Sequence, residues 1–312
     1  MMDSKPFFSI IVATYNQADL LKVCLESIES QTFNDWEAII VNNHSTDATS
    51  DVVASFNDPR MKEILVHNKG VLSVSRNAGI RESRGEWICM LDSDDIWYVD
   101  KLKELREAII NNPAIDVFCH NLLMKNMVTG KETLMAGRDF EDDVYKELLL
   151  HRNFMGQTSL AYRREFLIEH SLLFNESVDY VTAEDYDYSL RLAFNGARFY
   201  KINKVLGEWR VYGTNWSSSS IHTKNLETML RYHVFEEQSF EPQKTKLWKD
   251  VKTGIIMKRA NIALKQHKFV SFVKLYTKAF FLSPQRFFRY AKDRIKLANN
   301  RFKYNNNDDN KI

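Results

Sequence analysis

Glu86-Trp87-Ile88-Cys89-Met90-Leu91-Asp92-Ser93-Asp94-Asp95 decides how this chain is read. Trp87 to Leu91 carries no charge, and so short an apolar run between polar residues reads as a strand buried on both faces. In an open α/β sheet, ligands bind beyond the carboxyl ends of the strands. Three carboxylates stand at that point. If the chain stays extended through Ser93, Asp92 and Asp94 point to one side, because side chains repeat every two residues. Two hard oxygen ligands that cannot enclose an ion by themselves suit Mg²⁺ or Mn²⁺, which complete their shells with water and phosphate oxygens. The plainer alternative is that Asp and Ser after a strand only cap the next helix.

The flanking sequence repeats the strand-then-helix pattern. Phe8–Ala13 reads as a first buried strand, ending in Thr14-Tyr15-Asn16, and Leu21, Cys24, Leu25 and Ile28 recur at helical spacing over 18–30. Trp36–Val41 is a second strand, followed by Asn42-Asn43-His44-Ser45-Thr46-Asp47, where Ser45 or Thr46 caps a helix to about Phe56. Met61–Val66 is a third strand, ending at His67-Asn68-Lys69-Gly70, and 71–83 a further helix. After the Asp92 strand comes a helix with Leu102, Leu105 and Ile109 on one face. Alternation with short connections predicts an α/β fold with a doubly wound sheet, its polar strand ends gathered along one edge. A nucleotide fits along such an edge. Neither G-x-x-x-x-G-K-[ST] nor G-x-G-x-x-G occurs, so a metal on Asp92 and Asp94 is the available means of handling phosphate.

Bulk properties narrow the class. A chain of 312 residues holds one large domain, or one domain and an appendage. The net charge of +2 conceals a division: residues 241–312 carry 18 Lys+Arg against 5 Asp+Glu, a net of +13, while residues 1–240 carry a net of −11. Cys24, Cys89 and Cys119 are widely spaced in apolar patterns and form no metal or redox motif, which points to reduced core thiols in a cytoplasmic protein. No run of 18 apolar residues occurs, and the N-terminus has no secretory-signal pattern.

Four stretches together resemble a known family. Ser9–Asn16 (SIIVATYN), Trp36–Asp47 (WEAIIVNNHSTD), Arg76-Asn77-Ala78-Gly79 and Gly85–Trp97 (GEWICMLDSDDIW) look like the successive signatures of family 2 glycosyltransferases, of the bacterial surface-polysaccharide type. The resemblance is strong over 7–100, weaker over 150–220, and does not reach the basic tail. It implies the GT-A fold, a Rossmann-like mixed sheet, here with an appended basic C-terminal helical region. It implies inverting transfer from a nucleotide-diphosphate sugar, a UDP-sugar above all, with Mn²⁺ or Mg²⁺ held at Asp92 and Asp94. Thr14, Tyr15, Asn16, Asn43, Arg76, Asp92 and Ser93 then line the donor. Lys69 and Arg76 are the cations available to diphosphate, with solvated surface charge as the alternative for each. Two positions depart from the family's pattern. Asn42-Asn43 stands where the family usually has Asp-Asp. Asn43 inherits contact with the base, and its amide oxygen accepts from a uracil N3–H while its NH₂ adds donors that Asp lacks. Tyr212, in Arg210-Val211-Tyr212-Gly213-Thr214-Asn215, stands where His often helps hold the metal, so Tyr212 receives no metal role.

The acceptor half, about 113–220 after a nucleotide-sugar half of about 1–112, reads as one or two strands over Ile115–Met127 and a turn at Thr129-Gly130-Lys131. A short helix follows over 141–150. Phe154–Leu160 resembles the family's acceptor-side strand. Glu184-Asp185 matches the pair in which the family places its base, so Asp185 is the expected proton acceptor, with Asp187 as the local alternative. Thr182-x-x-Asp185 also fits a capping box, and a helix N-terminus would keep Asp185 ionised and lower its basicity. His44, His67 and His120 are single and belong to turns or core. The Trp216–Ser220 run reads as a loop able to close over the donor.

From 221 to about 303 the pattern is helical. Leu247, Val251, Ile255 and Ile262 mark one face; Phe269, Val273, Tyr276 and Phe280 mark another. Ser283-Pro284 starts a last helix with Phe288, Ala291 and Ile295, and 304–312 reads as a disordered tail. Basic helices with aromatic faces suit an anionic membrane surface, as a lipid-linked acceptor at the inner face of the plasma membrane would require; the alternative is packing on the catalytic domain. No nucleic-acid motif accompanies the tail's charge. The expected function is therefore glycosyl transfer to a hydroxyl of a saccharide or lipid-linked acceptor. The rivals are a sugar nucleotidyltransferase, whose Gly-rich basic loop is missing after strand one, and a non-catalytic carbohydrate-binding or scaffold protein.

Overall fold

The computed structural model describes residues 5–136, 139–140, 142–151, 153–213, 220–290 and 292. Four strands build its first half: β1 (Phe8–Thr14), β2 (Trp36–Asn42), β3 (Met61–Leu65) and β4 (Trp87–Asp92). Between them run α1 (Ala18–Glu29), α2 (Thr49–Ser55) and α3 (Leu72–Glu82). Their pairings are all parallel, in the order β3-β2-β1-β4. β1, β2 and β4 are apolar and buried on both faces, as a helix-covered parallel sheet requires. The register places Thr14 beside Asn42 and Ala13 beside Asp92, so the polar strand ends do lie along one edge.

The chain does not stay extended after Asp92. The Asp95 N–H donates to the Asp92 carbonyl at 3.0 Å, a tight turn, and the short β5 (Ile96–Trp97) leaves in a new direction. Side-chain alternation therefore does not set the relation of Asp92 to Asp94; the turn does. Beyond α4 (Lys101–Asn111), with Leu102, Leu105 and Ile109 buried, the sheet turns mixed. β6 (Val117–Asn126), β7 (Glu132–Met135), β8 (Ala161–Arg163) and β9 (Phe199–Val211) extend it in the order β4-β8-β6-β9-β5, with β7 on β6. The acceptor-side strand falls at Ala161–Arg163; part of the expected stretch, Gln157–Ser159, is instead a 3₁₀ turn. Gly130 closes the β6–β7 turn at φ +68°, and Gly196 follows the helix α7 (Glu184–Phe194) at φ +82°, conformations glycine adopts without strain.

Gly85 is required by proximity: a Cβ there would lie 2.5 Å from the Ser9 backbone N. The start of β4 has no slack against β1, since the Gly85 N–H donates to Ser9 Oγ at 2.7 Å. Gly85→Ala is expected to destabilise the fold by about 1–3 kcal/mol, measured by urea unfolding.

The helices after α5 (Val144–His151) and α6 (Arg164–Glu169) tie the C-terminal region to this body. Leu226, Met229 and Leu230 of α8 (Ser220–Tyr232) join the core that backs the sheet, as do Leu247, Trp248, Val251 and Ile255 of α9 (Lys244–Lys265). For α9 the packing alternative is thus the observed one. α10 (Phe269–Leu282) and the helical turns at 284–290 form a separate small core of Ile256, Met257, Ala279 and Phe287. Ser283 begins the last helix as expected, its Oγ accepting from the Arg286 N–H. Cys24, Cys89 and Cys119 are buried free thiols. The expected loop at Trp216–Ser219, the positions Thr214, Asn215, Ala291 and Ile295, and the tail 304–312 lie outside the described residues.

Candidate active site

The loops at the carboxyl ends of β1 and β2 are stitched together. Asn16, at φ +50°, donates its N–H to Ser45 Oγ at 2.9 Å and accepts from the Thr46 N–H at 2.7 Å. Asp47 accepts from the Ala18 N–H at 3.0 Å and from the Thr49 N–H at 3.1 Å. Asp47 thus does at α2 what Ser45 or Thr46 was expected to do, because those two are turned toward Asn16. Tyr15 is exposed, and Thr14 is buried with its Oγ1 unpaired. Ser93 is buried and donates to Gln17 Oε1 at 2.7 Å, fastening the acidic turn to the β1 loop.

Asn42 is fully inside, its amide shared among Ser45, Ser50 and Glu63. Asn43 is half-buried at the edge. Its Oδ1 accepts from the Asn68 N–H at 2.8 Å, which leaves its NH₂ as the group without a hydrogen bond among the described residues. The amide oxygen expected to take a uracil N3–H keeps its second lone pair for that purpose. Beside Asn43 the exposed rings of His44 and His67 stack at 3.6 Å and 9°, an aromatic platform that single-residue reading of either histidine did not reveal. His120 is a core residue bonded to the Asn121 carbonyl, and burial pushes its pKa down to about 3. Lys69 and Tyr212 are exposed.

The acids form one connected cluster around Arg76. That residue is 5% exposed, so the solvated-charge alternative fails. Its guanidinium reaches Asp92 Oδ1 at 2.9 Å and Glu184 Oε1 at 3.0 Å. Burial alone would lower its pKa; Asp92 and Glu184 outweigh that and hold it above the usual arginine range. Glu184 Oε2 is buried without a partner among the described residues. Asp94 is pushed up to about 6 by burial, with the neighbouring Asp92 carboxylate adding to it. Asp95, which spacing left without a role, is buried: it accepts from Thr158 Oγ1 in a very short hydrogen bond and from the Arg210 N–H at 2.8 Å, so it holds the acidic turn against β9.

Asp185 sits next to Glu184 at the start of α7, half-buried, accepting from the Tyr186 N–H at 2.7 Å. Its pKa is raised to about 6, by burial first and by the Glu184 charge second, against the opposing pull of Arg76. The helix N-terminus does not dominate, contrary to expectation. The capping box is absent too: the cap is Ala183, without a side-chain bond. Asp187 is spent in the core, paired with His233 Nε2 at 3.0 Å, and is no alternative base. Thr182 adopts φ +69°, a costly conformation for a β-branched residue. His222 of α8 meets the Thr182 carbonyl at 2.9 Å, and Asn225 donates to the Val181 carbonyl at 3.0 Å. These contacts with the C-terminal helices fix where α7 begins, and no local pattern foretold them.

Asp92 and Asp94 fit an oxygen-loving divalent cation: two hard carboxylates of like charge, with the Asp94 pKa raised by burial first and by Asp92 second, both of which a cation would offset. Among the described residues no group of three His, Cys, Asp or Glu is placed to enclose an ion.

Known proteins resemble this chain in sequence and in fold. The family model described as glycosyl transferase family 2 matches residues 9–171. The chain belongs to that family. The putative glycosyltransferase EpsH of Bacillus subtilis is 30% identical over 214 residues, which span 66% of this chain and 61% of that protein. The putative teichuronic acid biosynthesis glycosyltransferase TuaG of the same organism is 26% identical over 230 residues, 70% of this chain and 84% of that protein. S. aureus TarS 1–349 in complex with UDP-GlcNAc superposes with a TM-score of 0.64 at 19% identity, covering 91% of this chain and 83% of that one. The mannosyltransferase PcManGT of Pyrobaculum calidifontis, in complex with GDP-Man and Mn²⁺, gives 0.58 at 18% identity, covering 95% and 81%. The family 2 glycosyltransferase has the GT-A fold.

Proposed function

We propose that this family 2 glycosyltransferase is an inverting, metal-dependent enzyme of cell-surface polysaccharide or glycolipid synthesis. It works in the cytoplasm on a UDP-sugar and a hydroxyl of a saccharide or lipid-linked acceptor. The observation that carries the reading is the joining of Asp92, beside Asp94, to Glu184-Asp185 through Arg76. The nucleotide lies along Thr14, Tyr15, Asn16 and Asn43, with the Asn43 NH₂ offered to a base carbonyl. Asp92 and Asp94, with Ser93 between them, hold Mn²⁺ or Mg²⁺, which supplies Lewis-acid stabilisation of the leaving diphosphate. Asp185 takes the acceptor hydroxyl's proton while that oxygen attacks the anomeric carbon and the bond to the nucleotide breaks. Arg76 keeps the carboxylates of the donor and acceptor sides at fixed separation. The UDP-GlcNAc complex of TarS and the GDP-Man and Mn²⁺ complex of PcManGT support a nucleotide-sugar donor, and TuaG supports the biosynthetic setting.

Thermal stabilisation against nucleoside diphosphates and nucleotide sugars tests it, with and without Mn²⁺. A saturating donor at about a hundred times its Kd should stabilise by about 2.7 kcal/mol. The expected result is a uridine-selective, metal-dependent shift that disappears in Asp94→Ala. A folded protein that shifts with no donor would overturn the reading.

A further inference from the structure

Membrane attachment was one of two sequence expectations for the tail, and packing accounts for α9. The structure leaves α10 with an apolar face that stays largely exposed, its covering limited to ring contacts at the ends, Phe280 with Phe287 and Phe288 at 5.6 and 6.0 Å and Phe269 with His267 at 6.2 Å. Val270 is 86% exposed and Phe281 77%, with Phe269, Val273 and Phe280 beside them. At 100° per residue these five lie within an arc of about 120°, the width of a membrane-facing stripe. Lys274 borders that arc, Lys278 lies further round on the same side, and both are exposed. Phe288, 62% exposed, continues the apolar character onto the next helix. The opposite side of α10, through Leu275 and Ala279, is closed against α9, with Tyr276 at the margin of the exposed arc.

Charge selects the occupant. Residues 251–292 contain ten Lys and Arg and not one Asp or Glu. A second copy of this chain would bring the same cations against them, and like charges face to face oppose a symmetric contact. An anionic bilayer matches both features, because cations at the rim meet lipid headgroups while the apolar stripe enters the headgroup–acyl boundary. No described helix is long and apolar enough to cross a membrane, so the attachment is to one surface.

We infer that the α10 face, centred on Phe269, Val270, Val273, Phe280 and Phe281, is a docking surface for an anionic membrane. α10 packs on α9, and α9 packs on α5 and α8 within the core that backs the sheet, so docking holds the catalytic body against the bilayer. The inference stands on this surface alone and is independent of the transferase reading. A failure here leaves donor binding untouched, and the reverse also holds.

The test is flotation of the full chain with phosphatidylcholine vesicles, with and without about 30% phosphatidylglycerol. Binding is expected to the anionic vesicles only, and to weaken at least tenfold between about 0.1 and 0.5 M NaCl. Val270→Glu/Phe281→Glu, at exposed positions that leave the fold intact by circular dichroism, should lose binding at least tenfold. Lys274→Glu/Lys278→Glu should weaken anionic binding while keeping the apolar stripe. No flotation, equal binding to both vesicle types, or unchanged binding by the Val270/Phe281 variant would overturn it. So would a wild-type dimer by light scattering that this variant dissolves, since the face would then belong to a second copy.

Discussion

Asp185→Asn is expected to lower glycosyl transfer by about 10²–10⁴-fold, the usual contribution of a positioned general base, with nucleotide-sugar binding unchanged. The amide keeps the side chain's size and its place at the start of α7 but cannot take a proton. The pH profile carries the same assignment. Burial and Glu184 raise Asp185 to about 6, and the group acts when deprotonated. Activity should therefore climb as pH rises through about 6 and level off above it. Had the helix N-terminus prevailed, the limb would lie below pH 4. With Mn²⁺ saturating, so that Asp94, itself raised to about 6, is held ionised, the limb should vanish from the residual activity of Asp185→Asn. Wild-type transfer by this variant, with the acidic limb intact, would move the base elsewhere. Asp187 is not the replacement, since its carboxylate is bound to His233 inside the core.

Arg76→Met should produce the largest loss of stability. Arg76 and Glu184 are 6% and 9% exposed at the side chain, and methionine removes the cation while filling much of its volume. Breaking a buried pair costs about 3–5 kcal/mol, because the surviving charge has no compensation. Asp92 is 36% exposed and recovers solvation, so the lower end, about 3 kcal/mol, is the expected value. At about 2.1 cal/mol/K of unfolding entropy per residue, a chain of 312 residues turns that into a fall in Tm of roughly 5 °C. Arg76→Lys should not restore it, since one ammonium cannot reproduce the planar fork that spans two carboxylates. Adding Glu184→Gln to Arg76→Met should recover part of the loss, because it removes the stranded charge. An unchanged Tm in Arg76→Met would mean that the cluster is solvated and that Arg76 does not join the two halves of the site.

Local pattern determined much of this protein. Apolar runs of five to seven residues with short helical connections specify buried parallel strands, so Thr14, Asn43 and Asp92 had to gather at one edge. The acidic stretch after β4 and the Glu184-Asp185 pair were read by resemblance; the family model's match over residues 9–171 spans the first and ends before the second. The mixed half of the sheet, with β8 between β4 and β6, was legible only in outline, because a three-residue strand has too few positions to show a period.

Tertiary structure alone decided the chemistry of the individual groups. Arg76 meets Glu184 across 108 positions of sequence, so no window of sequence contains their pairing. The turn after Asp92 is held by Asp95 bonding to Thr158 and Arg210, both far along the chain. The basicity of Asp185 reversed from expectation because desolvation and a neighbouring charge depend on what packs around the carboxylate. The helix terminus that sequence does reveal is the weaker influence there. The same reason separates α9 from α10. Both carry apolar faces in the sequence, and only the path of the chain in space determines which one finds the core.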